Sequence, residues 1–600
     1  MSVWLTIYYI FSYLIFFYTL LAMGLLLYLS ISSIRYQRKL RVNLPDDETI
    51  RYMLKTSPLT PPVSVIASAY NEEYTIKDNI NSLLRIDYPN YDIIIVNDES
   101  TDDTMKVLIE EFNLAEVPYT DTKKVPSKPI KAVYRSLDPK YSKLTVVDKE
   151  HAGTKSDGIN AGINVSDSPY FVNTDVDCIV EPMAIYRMMW LVINSHVPMI
   201  GVGATMLMVN GCKVEDGIVT RPAVANNPLP WFQQMEYMRS FLIGKMGWIA
   251  NGALPNISGG FGLFNTDIVV KSGGYDPSSF AEDVDMLLRM VTYMKETGQD
   301  FRLGQVPQVC CWTEGPFVPH SIYRQRTRWA RGLFEIVSNH RKMFFNARYG
   351  VTGAFTLPYL FFFEFIAPIL EAGGMIFMIW LIYTGRVNWN TTFVIFAMIF
   401  VFSISLSFVV IVFDYATRSV KWTNRPWSYL KLMIAGILEP ILYHPFITFF
   451  SIIGYIRHLR HGSKVWAQIK RRGSKKRQKK EEENKEASDK NVRTAEAVKA
   501  AAAANMRKAE EAAKKQATAK SAVSSQAATE TASPATASAA TVVAAAAATA
   551  TSASSTITAK TASKRKDDDD DDDFDDFDDL DDFDDDLDDF DDLDDDDSED

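Results

Sequence analysis

The chain has 600 residues, too many for one domain, and 47% of them are apolar. Its formal charge of −12 is unevenly spread: 26 of the 34 positions in residues 567–600 are acidic, so the rest of the chain carries +14. Four cysteines, with Cys310 and Cys311 adjacent and no pair at metal-ligand spacing, exclude a disulfide scaffold or a zinc module and read as a reducing compartment for the soluble part.

Residues 3–34 contain no charged side chain. At 1.5 Å per residue that run is long enough to cross about 30 Å of hydrocarbon, so an N-terminal transmembrane helix is expected over 1–34. It is too long for a cleaved signal peptide and lacks a basic n-region. Arg35, Arg38, Lys39 and Arg41 follow at once, which places the N-terminus outside and the next domain in the cytoplasm. Residues 35–59 read as a linker, with Pro58 near its end and Pro61 and Pro62 just after it.

From residue 60 to about 345 the pattern is α/β. Val63-Ser64-Val65-Ile66-Ala67 and Tyr91-Asp92-Ile93-Ile94-Ile95-Val96 read as buried strands with a helix over Asn71 to Leu84 between them, which predicts a doubly wound parallel sheet. Both strands end in polar runs, Tyr70-Asn71-Glu72-Glu73 and Asn97-Asp98-Glu99-Ser100-Thr101-Asp102. A third apolar run, Tyr170-Phe171-Val172, ends in Asn173-Thr174-Asp175-Val176-Asp177. Ligands of open α/β sheets bind at the carboxyl ends of the strands, so these endings share one rim. Two carboxylates one residue apart there repel unless a cation lies between them; Mg²⁺ or Mn²⁺ shared with a substrate diphosphate answers that need. Ahead of the pair, Lys155 in His151-Ala152-Gly153-Thr154-Lys155-Ser156-Asp157-Gly158-Ile159-Asn160 can offset diphosphate charge, with Asn160 beginning a helix beneath it. Asn256-Ile257-Ser258-Gly259-Gly260-Phe261-Gly262 offers a backbone that a flat ligand can approach closely. Glu282 and Asp283 open a helical pattern, where acidic residues complement the helix dipole. In Gln325-Arg326-Thr327-Arg328-Trp329 a guanidinium can neutralise phosphate and an indole can present a flat face to a pyranose ring.

Ser68 to Glu73, Val96 to Asp102 and Thr174 to Asp177 together resemble the nucleotide-sugar half of family 2 glycosyltransferases of the GT-A fold, a Rossmann-like mixed sheet. With Gln325 to Trp329 placed shortly before a membrane segment, the chain resembles the membrane-bound cellulose, chitin, hyaluronan and poly-N-acetylglucosamine synthases. The likeness covers roughly residues 60–480, with five motifs in order. It implies that Tyr70 and Asp98 hold the uracil of a UDP-sugar, that Asp175 approaches the ribose or the metal, and that Asp177 ligates Mg²⁺ or Mn²⁺. Lys155, Gln325 and Arg328 would sit on the donor side, with Arg328 near the diphosphate. Trp329 would lie under the acceptor's terminal sugar, and the 256–264 run with Phe261 would form the acceptor-side wall. A Thr-Glu-Asp-like position matches Ala281-Glu282-Asp283, making Asp283 the base that takes the acceptor hydroxyl's proton and Glu282 its neighbour. The chain departs from its relatives in having Asn97-Asp98-Glu99-Ser100 where Asp-Asp-Gly-Ser is frequent, and Ala281 for threonine. The implied activity is inverting transfer from a UDP-sugar to a growing polysaccharide. The alternative is addition of a single sugar to a membrane lipid. No nucleic-acid partner is expected.

Residues 351–383 and 391–413 are long enough to span. A single crossing of 430–456 would put Arg457, Arg460, Lys464 and the following lysines outside, so Pro440 and Pro445 are expected to break that segment into a re-entrant or interfacial pair. The whole is thus read as a multi-pass protein of the cell membrane with a cytoplasmic catalytic domain. Residues 463–566 run from a polybasic tract suited to anionic lipids, through a charged Ala/Lys/Glu helix expected over 495–520, to an Ala/Ser/Thr-rich linker. In the acidic tail Phe574, Phe577, Leu580, Phe583, Leu587, Phe590 and Leu593 recur every three or four residues, a face able to dock on a basic partner such as Lys464–Lys480 of the same chain. Deleting 567–600 is expected to alter the salt dependence of activity; an unchanged salt response and unchanged complex formation would remove that role.

Overall fold

The computed structural model describes residues 3–461 apart from 121, 216, 418 and 419. The polybasic tract, the 495–520 helix, the Ala/Ser/Thr-rich stretch and the acidic tail fall outside the described residues.

Ten strands form one sheet, in order β3-β4-β5-β2-β1-β6-β11-β8-β12-β7, and a small hairpin pairs β9 with β10. In chain order the strands are β1 Val63–Ala69, β2 Tyr91–Asn97, β3 Leu114–Val117, β4 Ile130–Ser136, β5 Leu144–Lys149, β6 Tyr170–Asp175, β7 Ile179–Val180, β8 Met199–Met208, β9 Lys213–Glu215, β10 Ile218–Arg221, β11 Phe261–Asn265 and β12 Arg302–Thr313. The centre, β5-β2-β1-β6, is parallel as expected. Beyond it the sheet turns mixed: β11 runs antiparallel to β6 and β8, β7 to β12, and β4 to β3 and β5. Strand residues alternate between two apolar layers. Val63, Val65, Ala67, Ile93 and Ile95 belong to one layer, and Ile66, Ile94 and Val96 to the other. Burial on both faces is why these strands read as continuous apolar runs.

The N-terminal helix extends past the expected span, over Val3–Asn43, and a second helix, Asp47–Thr56, replaces the expected linker. Ile50 and Leu54 bury one face of that second helix, and Arg187 grips Asp47 through Nε at 3.1 Å and Nη2 at 2.6 Å. A short helix with two buried apolar anchors and an ion pair to the domain is held, where charge and proline alone read as a tether. The first helix docks on the widened turn Arg239–Lys245, whose Leu242 carbonyl accepts from Ser33 Oγ at 2.9 Å and Gln37 Nε2 at 2.6 Å. Widened π turns displace backbone bonds, and side chains of the neighbouring helix here meet the exposed carbonyl.

Among the described residues four helical stretches are long and apolar enough to cross a membrane: Tyr8–Val42, Thr352–Tyr383, Trp389–Thr417 and Arg425–Arg460. The last corrects the expected break. Pro440 lies in a π turn, Glu439–Tyr443, and Pro445 in the first turn of the helix that follows, where a missing N–H costs least, so Arg425–Leu438 runs on into His444–His461 without interruption. This long helix lies against the α/β domain near both ends. Lys431 Nζ donates to the Ala225 carbonyl at 3.0 Å and to Asn226 Oδ1 at 2.9 Å, and Phe450 packs edge-on against Tyr323 at 5.2 Å. Near its end Gly454 crosses the Pro319–Asn339 helix so closely that a Cβ there would lie 2.7 Å from the Thr327 carbonyl oxygen and the Ala330 Cβ. Gly454→Val is therefore expected to destabilise the detergent-solubilised protein by about 1–3 kcal/mol, the usual cost of overpacking, read as a lowered Tm.

Candidate functional site

The register aligns Ser68 of β1 with Asp175 of β6 and Ala69 with Asn97 of β2, so the three polar endings emerge at one rim. The loops after β1 and β2 brace each other. Asn71 and Glu99 both adopt left-handed backbone, with φ of 56° and 55°. Asn71 Oδ1 accepts from Thr101 N at 2.8 Å, and Ser100 Oγ accepts from Asn71 N at 3.0 Å. Asn71 therefore serves the loop; the helix that was expected to begin there starts at Ile76.

Asp98 is 3% exposed and lies at the centre of a buried network. It is paired with Lys149, a fully buried lysine at the end of β5 that also meets Asp157 at 2.8 Å. Ala152 N at 3.0 Å and Gly153 N at 2.9 Å donate to the Asp98 carboxylate as well. Tyr70 lies beside His151, ring centroids 4.9 Å apart. Neither Lys149 nor His151 was singled out from the sequence. A lysine at a strand end reads as solvated unless the two carboxylates it joins, 51 residues back and 8 ahead, are known to converge.

Lys155 opens the Lys155–Val165 helix, capped by Thr154, whose hydroxyl accepts from Asp157 N at 3.4 Å. Asn160 is thus mid-helix, not at its start. It is fully buried and clamps Tyr275, donating to that residue's carbonyl at 2.8 Å and accepting from its N–H at 2.8 Å. Lys155 Nζ ion-pairs with Asp175 and donates to the Gly259 carbonyl at 2.7 Å. Ligand atoms of Asp175, Asp177 and Cys178 lie within 4.8 Å of one another. The two carboxylates suit a hard divalent ion. The soft thiol of Cys178, 1% exposed, does not.

The Gly259-Gly260 run is a strap between the carboxylate pairs. Gly259 N donates to Asp283 Oδ2 at 3.1 Å while its carbonyl takes Lys155 and, at 3.0 Å, Asn173 Nδ2. A Cβ on Gly260 would lie 3.2 Å from Asp175 Oδ2 and 2.7 Å from the Met206 methyl, so the close approach depends on glycine. Phe261, expected on the acceptor wall, is fully buried in the apolar layer as the first residue of β11 and cannot face a ligand.

The Glu282–Glu296 helix begins against the Pro319–Asn339 helix. A Cβ on Gly332 would come 2.8 Å from that of Ala281, so the small residue standing where relatives carry threonine fits a close helix crossing. That crossing sets Glu282 within the electrostatic reach of Arg328 and Lys155 as well as Asp283. Asp283 accepts from Gly259 N, from Asn256 Nδ2 at 3.3 Å and from Val284 N at 2.9 Å. On the partner helix Arg326 makes a two-pronged bond to Glu236, Nη1 to Oε1 at 2.6 Å, reaches the Tyr443 hydroxyl at 3.1 Å, and stacks 4.5 Å from the Trp329 ring, which is 37% exposed. Arg326 is a third residue that sequence reasoning left without a role; its place between Gln325 and Trp329 was the available signal. Gln325 holds a buried amide oxygen with no hydrogen-bond partner among the described residues. The structure therefore links Asp175, Lys155, Asp283, Glu282 and Arg328 through contacts or close charges. Trp329 is set one residue beyond Arg328.

Burial, and then the charge of Asp283, pushes the Glu282 carboxyl up to about 7, against the pull of Arg328 and Lys155. The folded chain therefore keeps a proton on Glu282 between its ordinary 4.5 and about 7 that the unfolded chain releases, so stability from this group is lost as pH rises through that window. Glu282→Gln, which fixes the neutral form, is expected to raise Tm at pH 8 and to leave it nearly unchanged at pH 4; an equal shift at both would contradict the assignment.

Residues 61–332 match the family model described as glycosyltransferase like family 2, and residues 215–455 match glycosyl transferase family group 2. The chain is 25% identical over 277 residues to a poly-beta-1,6-N-acetyl-D-glucosamine synthase of Staphylococcus epidermidis, an alignment covering 46% of this chain and 55% of that protein. It is 26% identical over 300 residues to the synthase of the same name from Staphylococcus aureus strain COL, covering 48% and 60%. The chain thus spans a little over half the length of these relatives. A mannosyltransferase from Pyrobaculum calidifontis, solved with GDP-Man and Mn²⁺, superposes on 72% of this chain and 99% of its own with a TM-score of 0.40 at 14% identity, too slight a likeness to bear on function. The two models between them cover residues 61–455, and over that stretch the chain is similar to the family 2 glycosyltransferases.

Proposed function

We propose that this chain is a membrane-embedded inverting glycosyltransferase that moves a sugar from a UDP-sugar onto a growing polysaccharide at a cytoplasmic site. The observation that carries the reading is the Gly259 strap. One backbone unit binds the lysine paired with Asp175 and also the carboxylate of Asp283, so a diphosphate-side group and a base are held at a fixed separation. The relatives named as polysaccharide synthases support the choice of acceptor.

Asp175 and Asp177 would hold Mg²⁺ or Mn²⁺, which supplies charge neutralisation for the departing diphosphate. Lys155 and Arg328 add positive charge on the same side. Asp283, oriented by Gly259 N and Asn256, takes the proton of the acceptor hydroxyl as that oxygen attacks the anomeric carbon opposite the leaving group. Glu282, its carboxyl pushed up to about 7 by burial and by the charge of Asp283, carries less negative charge near neutrality than an ordinary carboxylate and so crowds this base less. Trp329, stacked on Arg326, offers its exposed face to the terminal acceptor sugar.

The long helix Arg425–Arg460 supports a cytoplasmic return of the chain. Lys431 and Gly454 touch the same α/β domain although 23 residues of helix, roughly 35 Å, separate them. A crossing would carry one end to the far side of about 30 Å of hydrocarbon, away from a domain on the near side. In this topology the helix lies along the inner face and the N-terminal, 352–383 and 389–417 helices span.

Membranes bearing the full chain, supplied in turn with radiolabelled UDP-sugars and Mn²⁺, are expected to yield a high polymer from one donor. Asp177→Ala and Asp283→Asn should each lower the rate by about a hundredfold or more, with the protein still inserted and folded. A single organic-extractable glycolipid would instead establish transfer to lipid, and unchanged rates in both variants would overturn the enzyme assignment.

A further inference from the structure

The helix that passes both carboxylate sites carries a charge without a counter-charge. Leu229–Met238, the widened turn Arg239–Lys245 and Met246–Ala250 follow one another as one helical stretch. On it Tyr237, Phe241 and Lys245 form a row: the two rings lie 5.6 Å apart, and the Lys245 ammonium stands 4.4 Å from the centre of the Phe241 ring. Tyr237 at one end lies within electrostatic reach of Asp175, and Lys245 at the other within reach of Asp283. The row therefore spans the same gap as the Gly259 strap, from the diphosphate side to the base.

Lys245 is 5% exposed. Among the described residues its ammonium has the Phe241 ring beside it but no hydrogen-bond acceptor and no ion pair. Lysine is almost never buried so deeply unless paired. The other lysine buried to this depth among the described residues, Lys149, meets two carboxylates. Asp283 acts on Lys245 through space, its own oxygens being engaged by Gly259 N, Asn256 Nδ2 and Val284 N. Burial pushes the ammonium down to about 8 against the pull of Asp283, so at neutral pH it keeps its proton and its charge. An aromatic face offsets part of the cost of taking an ammonium out of water, and an anion in contact offsets more.

That anion has to arrive with whatever binds beside Asp283. The diphosphate belongs with Lys155 and Arg328 at the other end of the row, which leaves the acceptor. A pyranose whose C6 is a carboxylate carries its charge on the ring itself, within one sugar's breadth of the hydroxyl that Asp283 deprotonates. We propose that Lys245 is a specificity-determining residue that binds the carboxylate of a uronic acid at the end of the acceptor. The proposal rests on Asp283 being the base of the sugar transfer, and it names the chemical class of the acceptor.

Thermal unfolding of the full chain in nanodiscs, with UDP and Mn²⁺ present, is followed while glucuronate or glucose is added. Glucuronate should raise Tm at a concentration about tenfold lower than glucose, the discrimination expected when a charge-assisted bond is made or left unmade. Lys245→Met should abolish that difference, and Lys245→Arg should keep most of it. With no sugar present Lys245→Met should raise Tm, because it removes a buried charge that the protein itself does not pair. A glucuronate preference that persists in Lys245→Met, an equal response of the unaltered chain to both sugars, or a Lys245→Met chain less stable than its parent would each overturn the proposal. Transfer from labelled UDP-sugars supplies a second arm: the unaltered chain should use oligosaccharides ending in glucuronate in preference to those ending in glucose. Glucuronate-dependent stabilisation in a chain that transfers sugar to neither would support the carboxylate site while refuting the proposed reaction.

Discussion

Carboxylates crowd one rim of the sheet: Asp98, Asp157, Asp175, Asp177, Glu282 and Asp283 come from separate stretches of chain and converge within a few residues of the strand ends and helix heads. Left alone such a cluster repels, and burial enlarges the penalty. Two lysines make the arrangement tenable. Lys149 sits between Asp98 and Asp157, and Lys155 joins Asp175 to the Gly259 carbonyl. Buried pairs of this kind add little net stability, but removing one partner strands a charge at a cost of about 3–5 kcal/mol. The lysines therefore fix where the loops run more than how stable the domain is, and the site's geometry follows from that.

The same logic ties the catalytic domain to its long apolar helices. Arg326 meets Glu236 and Tyr443, and Arg239 meets Glu439, so two arginines of the domain side hold a helix that would otherwise bring an acid toward lipid. Because Arg326 also stacks on Trp329, the exposed indole inherits its orientation from the Glu439–Tyr443 turn of the long helix. The prolines that read as breakers of that helix instead accompany the widened turn that places Tyr443 against Arg326 and, at 5.1 Å, against Phe232.

What the sequence disclosed and what it concealed divide along a physical line. The parallel centre of the sheet was legible, because burial on two faces leaves unbroken runs such as Tyr91–Val96. So was the convergence of Asp175 with the Glu282-Asp283 pair, since chemistry-bearing residues stood at strand and helix ends in a familiar order. Lys149 and Arg326 were hidden because their partners are distant in sequence, and a charge is known to be buried only when its counter-charge is known. Phe261 was misplaced because a glycine-rich run exposes its backbone and not every side chain within it. The helix over Asp47–Thr56 was missed because its two anchoring residues, Ile50 and Leu54, are too few to show a period.

The departures from the family pattern are each met by contacts with neighbouring residues. Glu99 stands where glycine is frequent and still adopts left-handed backbone, a conformation that disfavours a side chain by about 1–2 kcal/mol. Its carboxylate offsets that strain by accepting from His151 N and pairing with Lys131, contacts that glycine cannot make. Ala281 stands where threonine is frequent and meets Gly332 at a helix crossing so close that a Cβ on the glycine would come 2.8 Å from the alanine's own. Each substitution thus steadies one wall of the cleft, the first the loop that carries His151 and Lys155, the second the crossing that brings Arg328 toward Glu282.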